Sequence, residues 1–426
     1  MLAPATAIFA AALAAPATDT ADVALAVDAR LDAIVPFALA NNPDLLAARE
    51  VANAAQSRGA AAGQLPDAEL KSELWGVPLA RPWDFSQSQT LMLGLRQAFP
   101  APGSRVFAAK AGALDADVAR ENIHTRELDT TVQVRRAYFD YWRAGAELAI
   151  HREHAALADR VIELARANFR TGRASQQDVL RSIVAASQLH VDVATIEQEI
   201  ASSRALLNTL MGRTGDAPLG TPAEVPLPES QPDFESLESL VESRPEIASS
   251  TRAAERSEAD LERARAEATW PSFMVSADYW LMPTFASPNA YGAMVSMTLP
   301  WLNARHEDEI AAAEHAALAE RRGVESAKRS ALYQVRDALA RYRAAKSAFA
   351  LIDHEVLPQA RESFESSRTA YAAGQGDALS VQNALKTFLD VRLERVRAIA
   401  RVQSSFAELE RAAGCDLDVS QHGELQ

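Results

Sequence analysis

Apolar and polar side chains alternate with period two over residues 271–299, in a chain whose remaining pattern is almost entirely helical. Phe273, Val275 and Leu281 fall on one face of the first run, and Asp278 falls on the other. A second alternating run follows a loop rich in proline, serine and asparagine. Two such runs, each of about ten residues, predict a β-hairpin whose strands are long enough to cross a bilayer when tilted. We place these strands at about 271–282 and 290–299.

A second, more polar hairpin is predicted earlier in the chain, with strands at about 66–77 and 88–98. Leu70 and Leu74 alternate there with charged residues. The alternation again gives one apolar and one polar face. The charged residues of the polar face are Asp67, Glu69, Lys71 and Glu73.

Long helices are predicted wherever the period is 3.6 residues. The first of them contains no proline and would be roughly 95 Å long at about 1.5 Å per residue. A helix of that length indicates a coiled coil or an extended tube rather than a compact domain. The predicted long helices are 105–169, 175–211, 304–371 and 377–413.

The chain contains an internal repeat with an offset of about 200 residues. Helix, hairpin, very long helix, turn and long helix occur twice, in a first repeat at 31–212 and a second at 235–414. The proline-rich segment 213–234 is the predicted connector, and 415–426 is a tail. Matching segments include 99–105 with 299–305, 133–135 with 334–336, and 169–172 with 371–374.

Composition narrows the class of protein. The net charge of −14 and pI near 5.2 argue against nucleic-acid binding as the main task. The single cysteine, Cys415, excludes an intrachain disulfide and a cysteine-based metal cluster. Residues 1–20 resemble an export leader, with an apolar run that ends in small residues. No uninterrupted apolar run of 18 residues occurs elsewhere, so we predict no membrane-spanning helix.

Four strands per chain cannot close a barrel, and a sheet in lipid cannot leave its edges unpaired. The predicted fold is therefore mainly α with a membrane β-barrel portion: three chains form a 12-stranded barrel on an α-helical tunnel. Apolar strand faces would meet lipid, and Asp278 would face a wet lumen. Five tryptophans flank the strands like an interfacial aromatic belt: Trp75, Trp83, Trp270, Trp280 and Trp301. The alternative is a hairpin pair packed on a soluble core, with the tryptophans as core anchors.

Nearly the whole chain, from about Leu31 to Gly414, resembles the TolC-like outer-membrane efflux proteins. The segments that carry the resemblance are NNPDLL, LRQAFPAPGSR, FRTGRASQQDVL and YAAGQGDALSV. LRQAFPAPGSR is most similar to the heavy-metal efflux subgroup. Ser104 departs from that subgroup, which typically has a lysine after Gly103.

The resemblance implies a homotrimer in the cell outer membrane with a periplasmic helical extension. It implies a passive channel of a tripartite efflux or type I secretion system. The partners would be a periplasmic adaptor (membrane fusion) protein, an inner-membrane pump of RND or ABC type, and outer-membrane lipid. It implies no catalysis and no cofactor, and the charge argues against nucleic acid.

The resemblance places the two turns between long helices at the periplasmic tip. Gly172, Arg173, Gly374 and Gln375 would then contact the adaptor. A structural reason also accounts for the glycines, because a helix C′ position needs a left-handed residue.

Further tip residues follow from the same resemblance. Tyr371 and Asp178 match a tyrosine and an aspartate that hydrogen-bond between neighbouring helices and hold the aperture shut. A local interpretation of Asp178 is a capping box with Ser175. Ser380 and Asn383 occupy the positions that line the aperture, where some members have acidic residues.

Two histidines three residues apart, His151 and His154, share a helical face. Because no third ligand is near in sequence, we interpret them as surface histidines and predict no metal site. The alternative to a channel is a soluble or peripheral coiled-coil interaction protein such as a periplasmic adaptor. The hairpins separate the two functions, because an all-helical scaffold would lack them.

Overall fold

The computed structural model describes residues 18–77, 79–80, 83, 88–282, 289–375 and 378–417, and helices account for 73% of these described residues. Most of the predicted leader, most of the predicted tail and most of both hairpin loops lie outside the described residues. The helices in this part of the chain are α1 (Thr18–Val27), α2 (Leu31–Asn41), α3 (Pro43–Ala62), α4 (Ser104–Arg170), α5 (Gln176–Leu210), α6 (Phe234–Val241), α7 (Pro245–Thr269), α8 (Arg305–Leu351), α9 (Leu357–Ala372) and α10 (Ala378–Ala413).

One π turn, Ile352–Val356, separates α8 from α9 inside the segment predicted as a single helix. Its cause is Pro358, which has no backbone N–H to donate and cannot continue the regular hydrogen-bond pattern. The Leu357 N–H donates instead to the Ile352 carbonyl, five residues earlier.

The strands form two sheets of very different size. A two-residue parallel pair joins β1 (Asp28–Ala29) to β4 (Thr221–Pro222). The larger sheet is antiparallel throughout and has the order β2-β3-β5-β6. Its strands are β2 (Glu69–Trp75), β3 (Thr90–Phe99), β5 (Phe273–Leu281) and β6 (Asn289–Met297).

Pairing of β3 with β5 joins the two predicted hairpins into one open sheet. Within the described residues β2 and β6 are its edges, so the predicted barrel does not close in a single chain. Edge strands carry unpaired backbone groups that another chain can pair with.

The register of the sheet sorts the side chains cleanly by face. Leu93, Tyr279 and Tyr291 lie side by side on three neighbouring strands, and the same face carries Leu70, Val275 and Val295. These apolar side chains are exposed, up to 79% for Leu70 and 91% for Tyr291. The opposite face carries the charges: Glu69, Lys71, Glu73, Arg96 and Asp278.

The chain divides into two units that cut across the predicted repeats. One comprises Leu46–Arg126 and Glu235–Gln334 and contains the larger sheet. The other comprises the described residues of Met1–Leu45, Glu127–Phe234 and Val335–Gln426. Each predicted repeat contributes segments to both units.

The proline-rich connector is held in the second unit by tyrosines on the long helices. The hydroxyl of Tyr141 on α4 donates to the Gly220 carbonyl at 3.2 Å. The hydroxyl of Tyr342 on α8, its counterpart in the repeat, donates to the Ser230 carbonyl at 2.9 Å. Both tyrosines are buried. Because the connector is mostly irregular, side-chain donors such as these tyrosines satisfy carbonyls that would otherwise be buried at a cost.

Replacing Tyr342 by phenylalanine should lower stability by about 1 kcal/mol, because a buried carbonyl loses its tyrosine donor. Thermal unfolding of the purified protein, followed by circular dichroism, should show a lower midpoint. Tyr333→Phe is the matched control, since Tyr333 is exposed on the same helix. Equal midpoints for the two variants would contradict the role of this bond.

Candidate functional site

The two turns that connect long helices have the same backbone geometry. After α4, the Arg173 N–H donates to the Asn168 carbonyl at 2.8 Å and the Gly172 N–H to the Phe169 carbonyl at 3.0 Å. After α9, Gln375 and Gly374 donate to Ala370 and Tyr371 in the same way. This pair of bonds is a Schellman motif, which ends a helix by satisfying its last carbonyls.

Both motifs require glycine for conformational reasons. Gly172 has φ +73° and Gly374 has φ +76°, as predicted for a C′ residue. No heavy atom lies within 4 Å of the position that a Cβ on Gly172 would occupy. Its need for glycine therefore comes from the left-handed backbone and not from crowding.

Arg173 brings the two turns together. Its Nη1 atom lies 3.8 Å from the position that a Cβ on Gly374 would occupy. The guanidinium thus lies close to the C-terminal end of α9, where the helix dipole favours a cation. Arg173 and Gln375 are both exposed, so the two turns present a polar surface that includes one arginine.

Asp178 forms the capping box of α5. Its Oδ2 atom accepts hydrogen bonds from the Ser175 N–H at 2.9 Å and from the Ser175 hydroxyl at 2.8 Å. The Asp178 N–H donates to Ser175 Oγ at 3.3 Å. The local interpretation of Asp178 is therefore confirmed for the single chain.

Tyr371 is buried at the end of α9, with 3% of its surface exposed. It packs in an apolar cluster with Phe364, Val381 and Phe388. Its hydroxyl has no hydrogen-bond partner among the described residues, so it is not bonded to Asp178 within this chain. Burying a hydroxyl without a partner costs free energy.

Ser380 and Asn383 lie one turn apart near the start of α10, and both are exposed. Their spacing puts them on the same helical face. Neither is acidic, so these two positions add no negative charge to that face.

The interpretation of His151 and His154 as surface residues is wrong. They are 6% and 0% exposed, because this face of α4 packs against α10. His154 lies against Phe388, with ring centroids 5.5 Å apart, and its Nε2 atom is 3.4 Å from the Arg392 Nη1 atom. Burial and the nearby guanidinium lower the pKa of His154 from 6.5 to about 4. No group of three metal-ligating residues occurs in the described part of the chain.

The sheet separates the predicted aromatic belt into two groups. Trp270 and Trp301 are exposed at the ends of α7 and β6, and Trp83 is exposed beyond β2. Trp75 and Trp280 instead lie on the charged face, because they follow the period of Glu73 and Asp278. Their placement in a lipid-facing belt is corrected by the strand register.

Asp278 accepts a hydrogen bond from Ser276 Oγ at 3.0 Å.

One described helix, α5, is long and apolar enough to cross a membrane by length and composition. The sequence prediction, based on uninterrupted apolar runs, did not anticipate it. The helix also contains Asp178, Arg181 and Asp192. Length and composition alone do not place it in a lipid bilayer.

Comparisons with known proteins give one family and one fold. Residues 237–415 match the family described as outer membrane efflux protein. No curated protein sequence matches the chain. The structure is similar to a membrane protein from Pseudomonas aeruginosa, with a TM-score of 0.77 and 17% identity over 90% of this chain and 93% of that chain.

Two further solved structures are similar to the same extent. CusC, a protein described as forming a transmembrane channel, gives a TM-score of 0.76 at 19% identity, with 92% of this chain and 93% of that chain covered. The outer membrane protein VceC from Vibrio cholerae gives 0.73 at 19% identity, covering 90% and 96%. At these identities the similarity establishes the fold.

The lowered pKa of His154 predicts a stability that depends on pH. The unfolded chain takes up this proton below pH 6.5, whereas the folded chain takes it up only near pH 4. Stability should therefore fall as the pH decreases from 6.5 to 4, by up to about 3 kcal/mol per chain from this group. His154→Leu should flatten that part of a plot of unfolding midpoint against pH. The exposed His190 on α5 offers the control His190→Leu, and equal slopes in both variants would contradict the assignment.

Proposed function

Because this chain matches the outer membrane efflux protein family over residues 237–415 and has the fold of outer-membrane channels, we propose that three copies form an export duct. The predicted family resemblance and outer-membrane location are confirmed by these matches. Family and fold are those of channel proteins, and we assign the chain no catalytic role. The duct would serve a tripartite efflux or type I secretion system.

The observation that carries the proposal is the larger sheet, whose apolar face is exposed and whose edge strands are unpaired within the described chain. One of its faces exposes Leu70, Tyr291 and Val295, and both edge strands lack partners within the described chain. Water is a poor solvent for such a face, whereas lipid is a good one. Three chains supply twelve strands, which close the edges that lipid does not tolerate.

Closure of this sheet puts its charged face inside. Glu69 lies directly opposite Arg96, Lys71 pairs with Glu73, and Asp278 has no ion-pair partner among the described residues. A wet lumen keeps these groups hydrated, which a buried interface would not. Export through such a tube is passive, and the acidic groups tune which ions pass.

The tip residues would then act at the periplasmic end. Gly172, Arg173, Gly374 and Gln375 form the exposed turns on which a periplasmic adaptor docks, and the adaptor connects the duct to an inner-membrane pump. Tyr371 brings a hydroxyl that lacks a partner in one chain. Asp178 of a neighbouring helix would accept its hydrogen bond in the closed trimer. Ser380 and Asn383 would line the aperture.

A soluble or peripheral coiled-coil protein is the other class that the helices alone would allow. That function leaves the exposed apolar face of the sheet without an explanation. Heat-modifiable migration at the size of a trimer, from an outer-membrane fraction, should support the duct. Recovery of the full chain as a monomer from the soluble fraction would exclude it.

The proposed hydrogen bond between Tyr371 and Asp178 gives a prediction of its own. Tyr371→Phe should raise the leak conductance of the reconstituted trimer, because the hydroxyl that closes the aperture is gone. It should not lower the stability of the single chain, since that hydroxyl has no partner there. Ser175→Ala removes a cap hydroxyl but retains the Asp178 carboxylate, and serves as the control. An unchanged leak in Tyr371→Phe would leave Asp178 as a helix cap only.

A further inference from the structure

On the charged face of the sheet, neighbouring side chains occupy the space that a Cβ would take at two glycines. Gly94 and Gly292 lie directly opposite Asp278, one on each side. A Cβ on Gly94 would lie 2.1 Å from Asp278 Oδ1, so the carboxylate occupies that space. A Cβ on Gly292 would lie 2.3 Å from Trp280 Cη2, so the indole ring occupies the other.

The result is a patch on which an indole and a carboxylate lie beside each other. Trp280 is two residues beyond Asp278 and shares its face. The edge of its six-membered ring lies against Gly292, which is the cross-strand partner of Asp278. Asp278 accepts one hydrogen bond, from Ser276, and has no basic partner among the described residues. Trp280 itself is only partly buried.

An indole face attracts cations through its quadrupole, and tryptophan does so better than other aromatic residues. A carboxylate without a basic partner adds a full negative charge at short range. A small inorganic ion gains little from the ring because it retains its water shell. An organic cation, which has a charged centre and apolar substituents, can use both groups.

We propose that Trp280 is a specificity-determining residue of the duct and that, with Asp278, it favours organic cations with apolar substituents. This inference rests on the proposed function, because the patch meets cargo only if the charged face lines a lumen. In a trimer the patch occurs three times around that lumen. A passing cation would be held weakly at each, which suits conduction.

The experiment uses the full-length protein, purified and reconstituted as a channel in planar bilayers, with tetraphenylphosphonium as the probe. Trp280→Leu should weaken its block of the potassium current by about 2- to 30-fold, as expected for a cation–π contact of about 0.5 to 2 kcal/mol. Asp278→Asn should weaken it as well, whereas Trp280→Phe should retain part of the block. Block by the neutral triphenylphosphine oxide should not respond to Asp278→Asn.

The chain offers a matched control one residue away. Tyr279 is aromatic but lies on the apolar face, so Tyr279→Leu should leave block by tetraphenylphosphonium unchanged. Gly292→Ala keeps Trp280 and displaces its ring, since the new Cβ would overlap the indole. It should weaken the block even if Trp280→Leu folds poorly.

The outcomes separate this inference from the proposed function. If the wild-type trimer forms no conducting channel, the proposed function fails. If it conducts and the block is the same in Trp280→Leu, Gly292→Ala and wild type, the role of Trp280 is refuted. Equal losses for tetraphenylphosphonium and the neutral probe would show apolar adsorption only, and would also refute cation selection.

Discussion

The structure depends on a sheet that one chain cannot complete. Its four strands expose a continuous apolar face, and its first and last strands have unpaired edges within the described chain. A soluble monomer rarely tolerates an exposed apolar surface of this kind. Lipid would cover the apolar face, water would hydrate the charged face, and strands of further chains would pair with both edges.

Much of this architecture was predictable from sequence because period two and period 3.6 are easily distinguished over long stretches. Leu70, Val275 and Leu281 were assigned to apolar faces by alternation, and the register places them on one face of the sheet. Pairing of β3 with β5 was not predictable, because about 170 residues separate the two strands. The alternation within a strand does not indicate which other strand it pairs with. Alternation also did not prevent Trp280 from being read as a belt residue. The assignment rested on residue type, whereas the face is set by its position two residues from Asp278.

The burial of His151 and His154 shows a limit of a different kind. Both follow the helical period of buried α4 residues such as Ile150 and Ala158, and that signal was present in the sequence. Their polarity and their charged neighbours Arg152 and Glu153 favoured a surface position instead. Packing against α10 overrides residue type here, and the cost is a histidine pKa lowered to about 4. The prediction of one uninterrupted helix over 304–371 also missed a signal in the sequence, since Pro358 removes one hydrogen bond inside that helix and a π turn precedes it.

The region of the two turns combines local structure that is complete in one chain with a buried hydroxyl that has no partner among the described residues. Each turn is closed by its own Schellman bonds, and Asp178 is held by Ser175 alone. Neither feature needs a neighbouring chain, so each turn can move as a preformed piece when helices shift. The Tyr371 hydroxyl is different, because the described chain buries it without a partner. Burying this hydroxyl without a partner costs free energy in one chain. An assembly is therefore biased toward the state in which the hydroxyl gains a hydrogen bond. In the proposed trimer, the state in which Asp178 accepts a hydrogen bond from Tyr371 is therefore the one that this tyrosine favours, and any partner that opens it would have to offset that one hydrogen bond in each chain.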